Sequence, residues 1–101
     1  MLNDYYAELG VTKDVSNQGI RDAYRTKALQ IHPDKNPEDP VAAERFRRLT
    51  EAYQVLSNPD ARRAYDRGYD ISSPIIKNAR KNVRAAIRAY WRARYGLDDD
   101  K

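Results

Sequence analysis

Two stretches of this chain repeat apolar or small residues every three or four positions, and a proline-rich link separates them. The first stripe is Ile20, Ala23, Tyr24, Ala28 and Ile31; the second is Ala42, Phe46, Leu49, Tyr53 and Leu56. Such spacing lines each set along one face of an α-helix. Proline fixes its own φ and pushes the preceding residue out of helical geometry, so Pro33 must end the first helix near His32. Asp39-Pro40 then opens the second helix, with a capping acid followed by proline at the first helical position. Helices joined by so short a link return antiparallel with their stripes facing.

The remaining punctuation fits the same plan. Asp4 caps a short helix, Tyr5 to Leu9, which Gly10 ends. Ser16 starts the first long helix, with Gly19 in its opening turn, where glycine costs least. Asn58-Pro59-Asp60 stops the second long helix and caps a short one carrying Ala61, Ala64 and Tyr65 before Gly68. Ser73-Pro74 opens a last helix that Gly96 closes, 22 residues and about 33 Å long. No strand pattern is present. The expected fold is all-α: an antiparallel hairpin braced by two short helices over residues 1–69, then a basic amphipathic helix and acidic end over 70–101.

Charge divides the chain at the same point. Residues 1–69 hold eleven Lys/Arg and eleven Asp/Glu, whereas residues 70–101 hold eight Lys/Arg and four Asp. The whole excess of +4 therefore sits in the tail. There is no cysteine and one histidine, which excludes disulfides, thiolate metal sites and multi-histidine centres, so neither metal nor cofactor is expected. A chain of 101 residues has one modest core and little room for a deep, dry catalytic pocket. No run approaches the ~18 apolar residues of a membrane span, and no signal-peptide core opens the chain. The expectation is a non-enzymatic protein of the cytoplasm or nucleus, with membrane attachment disfavoured.

The chemistry concentrates at the hairpin tip, HPDKNPED. Its stiff turn throws Asp34, Lys35 and Asn36 forward as polar groups held by two helices, which is how recognition loops are built. The flank of the first long helix adds Arg21, Arg25 and Lys27 against the single acid Asp22. His32 and Asp34 are the residue types of acid–base catalysis, but a tip without a pocket or nucleophile cannot hold a substrate. The turn is expected to be exposed and to contribute little to the core.

The blocks DYYAELGV, IRDAYRTKAL, IHPDKNP and ERFRRLTEAYQVLSNPDARRAYD, from Asp4 to Asp66, resemble J-domain sequence in order and spacing. An isolated HPD would be weak, since short motifs recur by chance; embedded in four blocks it is specific. The resemblance implies a co-chaperone whose HPD turn docks on a DnaK-type chaperone and accelerates its ATP hydrolysis, while a basic helix flank meets an acidic surface. Carried over, the contacts are His32, Pro33, Asp34, Lys35 and Asn36, with Arg21 and Arg25. Asp22 and Thr26 stand where many members have Lys or Arg, which thins the flank. The glycine/phenylalanine-rich stretch and cysteine-rich zinc module of full-length DnaJ proteins are missing, so the chain is expected to be a piece of a longer one or to share only the J-domain.

The tail helix carries Ile76, Ala79, Val83, Ala86, Ile87, Tyr90 and Trp91 on one face. Arg80, Arg84, Arg88 and Arg92 recur every fourth residue on another. Two readings stand side by side: the apolar face packs on the hairpin, or the arginines dock on RNA, a large assembly or an acidic protein. The alternative function is accordingly an assembly or RNA-binding adaptor that uses the fold as a scaffold. Because the first 69 residues are balanced in charge and contain every matching block, the tail is expected to be separable from them.

Overall fold

The computed structural model describes residues 4–69 and 73–96, which form α1 (Tyr5–Leu9), α2 (Asn17–Ile31), α3 (Pro40–Leu56), α4 (Pro59–Asp66) and α5 (Pro74–Tyr95). The local signals set the boundaries. Asp4, Ser16, Asp39 and Asn58 each accept backbone N–H groups of the turn they cap, satisfying donors that a helix start leaves unpaired. Ser73 makes no such side-chain bond. Gly10 and Gly96 close α1 and α5 in left-handed geometry, at φ +72° and +66°. At Gly10 it is the positive φ that selects glycine, since the nearest obstacle to a Cβ, Lys27 Nζ at 2.5 Å, is the end of a flexible exposed side chain that can swing aside.

Tyr24 stacks on Tyr53 at 4.3 Å between centroids, and His32 meets Phe46 at 4.7 Å. Residues that rise in α2 therefore face residues that fall in α3, as an antiparallel hairpin requires. From the α2 stripe Ile20, Tyr24 and Ala28 are buried, and from α3 Ala42, Phe46, Leu49, Ala52, Val55 and Leu56. At the base, Tyr5 and Tyr6 of α1 are buried as well. The Tyr5 ring stacks on Tyr65 at 4.8 Å, and the Tyr6 hydroxyl donates to Asp66 at 2.6 Å. Arg62 of α4 interlocks the same corner. Its guanidinium donates to Tyr6 Oη and to the carbonyls of Lys13 and Val15, at 2.8–3.0 Å. α1 and α4 thus brace the hairpin's base.

α5 belongs to the same core. Ile76, Ala79, Ile87 and Trp91 are buried, with Val83 and Tyr90 packed at the margin. Arg80 reaches Gln54 and Glu51, whereas Trp91 reaches Phe46, so α5 runs antiparallel to α3 from the base to the tip. Of the two readings of the tail, packing of the apolar face is the one the structure shows. Ala86 departs from the expected stripe and is exposed. Separability, expected from charge balance, does not follow from this packing, because removing α5 would expose the α3 face it covers.

Candidate docking surface

The tip is a turn stabilised from within. His32 leaves helical geometry at ψ 135°, as the following proline requires. Its carbonyl accepts the N–H groups of Lys35 and Asn36, and the Asn36 side chain donates to the carbonyls of Gln30 and His32. The imidazole takes part: Nδ1 accepts the Asp34 N–H at 3.1 Å. A ring nitrogen two residues back thus sets the direction in which the Asp34 carboxylate leaves the turn.

Burial within the turn is uneven, and one expectation is corrected here. His32 is 0 % exposed, so the turn is not exposed as a whole and its histidine is part of the core. The ring sits between Phe46 and Trp91, edge to face with both, at 4.7 and 5.4 Å. Pro33, Asp34 and Asn36 are half-buried and Lys35 is exposed. What the tip offers a partner is the Asp34–Asn36 edge, positioned by a histidine beneath it.

On α2, Arg21, Arg25 and Lys27 are exposed. Arg21 donates to Gln18, whose amide in turn donates to Asp22. The Arg25 guanidinium lies over the Tyr90 ring at 4.7 Å, a cation–π contact in which the α5 aromatic shields one face of the charge. The α5 arginines divide. Arg80 turns inward to Gln54 and Glu51, at 3.1 and 3.4 Å, and satisfies the buried Gln54. Arg84 and Arg92 are exposed, and Arg88 is half-buried. Arg84 and Arg88 line a groove of about 640 Å³ between α3 and α5, with Pro33, Phe46 and Arg47. The ridge expected as one docking strip is thus part structural, part exposed. Its acidic end, Asp98 to Asp100, lies outside the described residues.

Sequence reasoning missed Tyr90 and Trp91 as neighbours of the tip. Their place on the apolar stripe was the available signal, but the stripe could not say which end of the hairpin they cover. Among the described residues no cluster of His, Asp or Glu is arranged to hold a metal ion, and no helix is long and apolar enough to cross a membrane.

Comparison with known proteins places this geometry. A family model described as DnaJ domain matches residues 4–66, ending before α5 begins. The chaperone protein DnaJ of Salinibacter ruber is 51% identical over 71 residues, 69% of this chain and 18% of that protein. That of Bacteroides fragilis is 57% identical over 63 residues, 62% of this chain and 16% of that protein. The chaperone protein dnaJ 39 of Arabidopsis thaliana is 56% identical over 61 residues, 60% and 15%. Among solved structures, the J-Trx1 fragment of ERdj5 superposes with a TM-score of 0.63 at 42% identity, covering 66% of this chain and 32% of that one. The chain spans less than a fifth of the length of these curated relatives.

Proposed function

The chain belongs to the DnaJ domain family, and from that premise we propose that it is a co-chaperone module that docks on a DnaK-type chaperone and stimulates its ATP hydrolysis. The observation that carries this is the tip turn: His32 Nδ1 holds the Asp34 N–H, and two packed helices hold both. Such a turn presents a carboxylate in one direction at little entropic cost, which favours tight docking of a complementary surface. Exposed Arg21, Lys27 and Lys35 steer the approach of an acidic partner, and Arg25 joins them where Tyr90 leaves it accessible. The chain itself does no chemistry; the partner's ATPase does. The working compartment is the cytoplasm or nucleus.

Single-turnover ATP hydrolysis by a purified bacterial DnaK, with and without this protein, tests the reading. Wild type accelerates hydrolysis and Asp34→Asn, folded, does not. Equal acceleration by a folded Asp34→Asn protein would remove the turn from the mechanism.

A further inference from the structure

α5 has a second working face. Its apolar side packs on the hairpin, while Arg80, Arg84 and Arg88 follow one another at four-residue steps along a groove of about 640 Å³ whose other wall is α3. Arg80 closes the base end, reaching across to Gln54 and Glu51 at 3.1 and 3.4 Å. The acids of the α3 wall are already matched: Glu44 holds Arg47 at 2.7 Å, and Glu51 is met by Arg80. Four arginines and two glutamates line the groove, which leaves two positive charges in surplus. Arg84 is exposed, and no acid among the described residues comes within ion-pairing distance of it. At the tip end the lining turns apolar, with Pro33, Pro40 and Ala43.

We propose that this groove binds an extended acidic segment of a protein other than the ATPase, with carboxylates at alternate positions turned to α5 and an apolar residue turned to Pro33 and Pro40. Arginines four residues apart on a helix are about 6 Å apart along its axis. Alternate side chains of an extended peptide stand on one side at nearly the same spacing, about 6.6–6.8 Å. Successive carboxylates therefore meet Arg84 and Arg88 together, each in the planar pairing that a guanidinium favours. The intervening side chains point to the α3 wall, where Ala43 leaves room and Glu44 and Glu51 oppose further negative charge. That asymmetry suits a peptide and not a nucleic acid. A single strand carries a phosphate on every unit and takes much of its hold from bases stacked on rings, whereas the one aromatic ring lining the groove, Phe46, is 4 % exposed. Arg21, Arg25 and Lys27 of α2 do not line the groove, so it can hold a second protein while the α2 flank serves the ATPase.

The full chain labelled with nitrogen-15 is titrated with two blocked peptides of one composition, Ala-Glu-Ala-Glu-Ala-Leu and Ala-Ala-Glu-Glu-Ala-Leu, and with single-stranded hexauridylate. The alternating peptide shifts the Arg84 and Arg88 side-chain resonances together with the Ala43 amide, and binds at least ~3-fold tighter than its isomer. Arg84→Ala changes an exposed side chain, so the fold stands; it weakens the alternating peptide by at least ~3-fold and removes the preference between isomers. The same variant still accelerates single-turnover hydrolysis by bacterial DnaK as wild type does. No shift at Arg84, or equal affinity for the two isomers, overturns the groove as a peptide site. Tighter binding of the hexauridylate at the same residues overturns it in favour of RNA. Loss of DnaK stimulation in Arg84→Ala assigns the groove to the ATPase and overturns the separate partner. If wild type itself fails to stimulate DnaK, the docking reading falls and the titrations decide the groove alone.

Discussion

The imidazole of His32 and the indole of Trp91 meet edge to face at 5.4 Å, and the second residue comes from a helix that the DnaJ family model does not reach. The contact ties the hairpin tip to α5 and gives the histidine two tasks. One face of the ring fills core space against Phe46 and Trp91, while Nδ1 sets the turn that presents Asp34.

Substitutions in the turn should therefore separate cleanly. His32→Ala removes a fully buried ring and leaves a cavity between two aromatics, at a cost of about 2–4 kcal/mol. For a chain of this size that lowers Tm by roughly 10 °C or more. Asp34→Asn, on the half-buried edge, costs no more than about 1 kcal/mol. Thermal melts of the two variants beside wild type check the contrast; equal Tm values would place His32 outside the core.

Ending the chain at Tyr69 should destabilise it strongly. Ile76 and Ile87 are each worth about 1.5–3 kcal/mol of burial, and Trp91 leaves Tyr24, His32 and Phe46 uncovered. Their combined loss is a large share of a small domain's stability. Urea unfolding of both chain lengths should show a midpoint displaced well below that of the full chain. An unchanged midpoint would mean that α5 contributes no net stability.

Arg62→Ala should loosen the base without touching the tip. The guanidinium donates to two side-chain oxygens, of Tyr6 and Asn17, and to two backbone carbonyls that bring α1, the α1–α2 link and α4 together. Removing a charged donor from part-buried acceptors costs about 2 kcal/mol. Hydrogen exchange should rise in α1 and α4, while the amides of Lys35 and Asn36 keep their protection.

Alkaline pH should unfold the protein through its tyrosines. Burial pushes the Tyr6, Tyr53 and Tyr65 phenols above the ordinary tyrosine value, and at Tyr6 the accepting Asp66 carboxylate adds to the rise. The folded state then holds these protons more tightly than the unfolded chain. Stability is full below the ordinary value of about 10 and falls as pH climbs from there through the raised folded values. Urea midpoints should be flat in that respect up to about pH 9 and decline beyond, less steeply in Tyr6→Phe.

Much of this architecture was legible because it is local. Asp4, Ser16, Asp39, Asn58, Gly10 and Gly96 mark their boundaries through bonds and φ angles within a few residues, and the α2 and α3 stripes follow from helical period alone. The burial of His32 is not legible for the opposite reason. A polar residue at a helix end looks solvated, and what buries it arrives from Trp91, 59 positions along the chain. The four-residue spacing of Arg80 sets it in an outward ridge, yet its partner Gln54 is a buried amide on another helix, which no periodicity announces. Side-chain contacts at long separation depend on how helices cross, and the stripes leave that crossing open.

Chain order adds a dimension of time. Tyr24, Arg25, His32 and Phe46 are all translated before Trp91, which follows His32 by 59 residues. At roughly 5–20 residues per second, about 3–12 s separate the synthesis of the turn from that of the indole above it. A nascent chain thus carries its tip bare until the indole that covers His32 has been made.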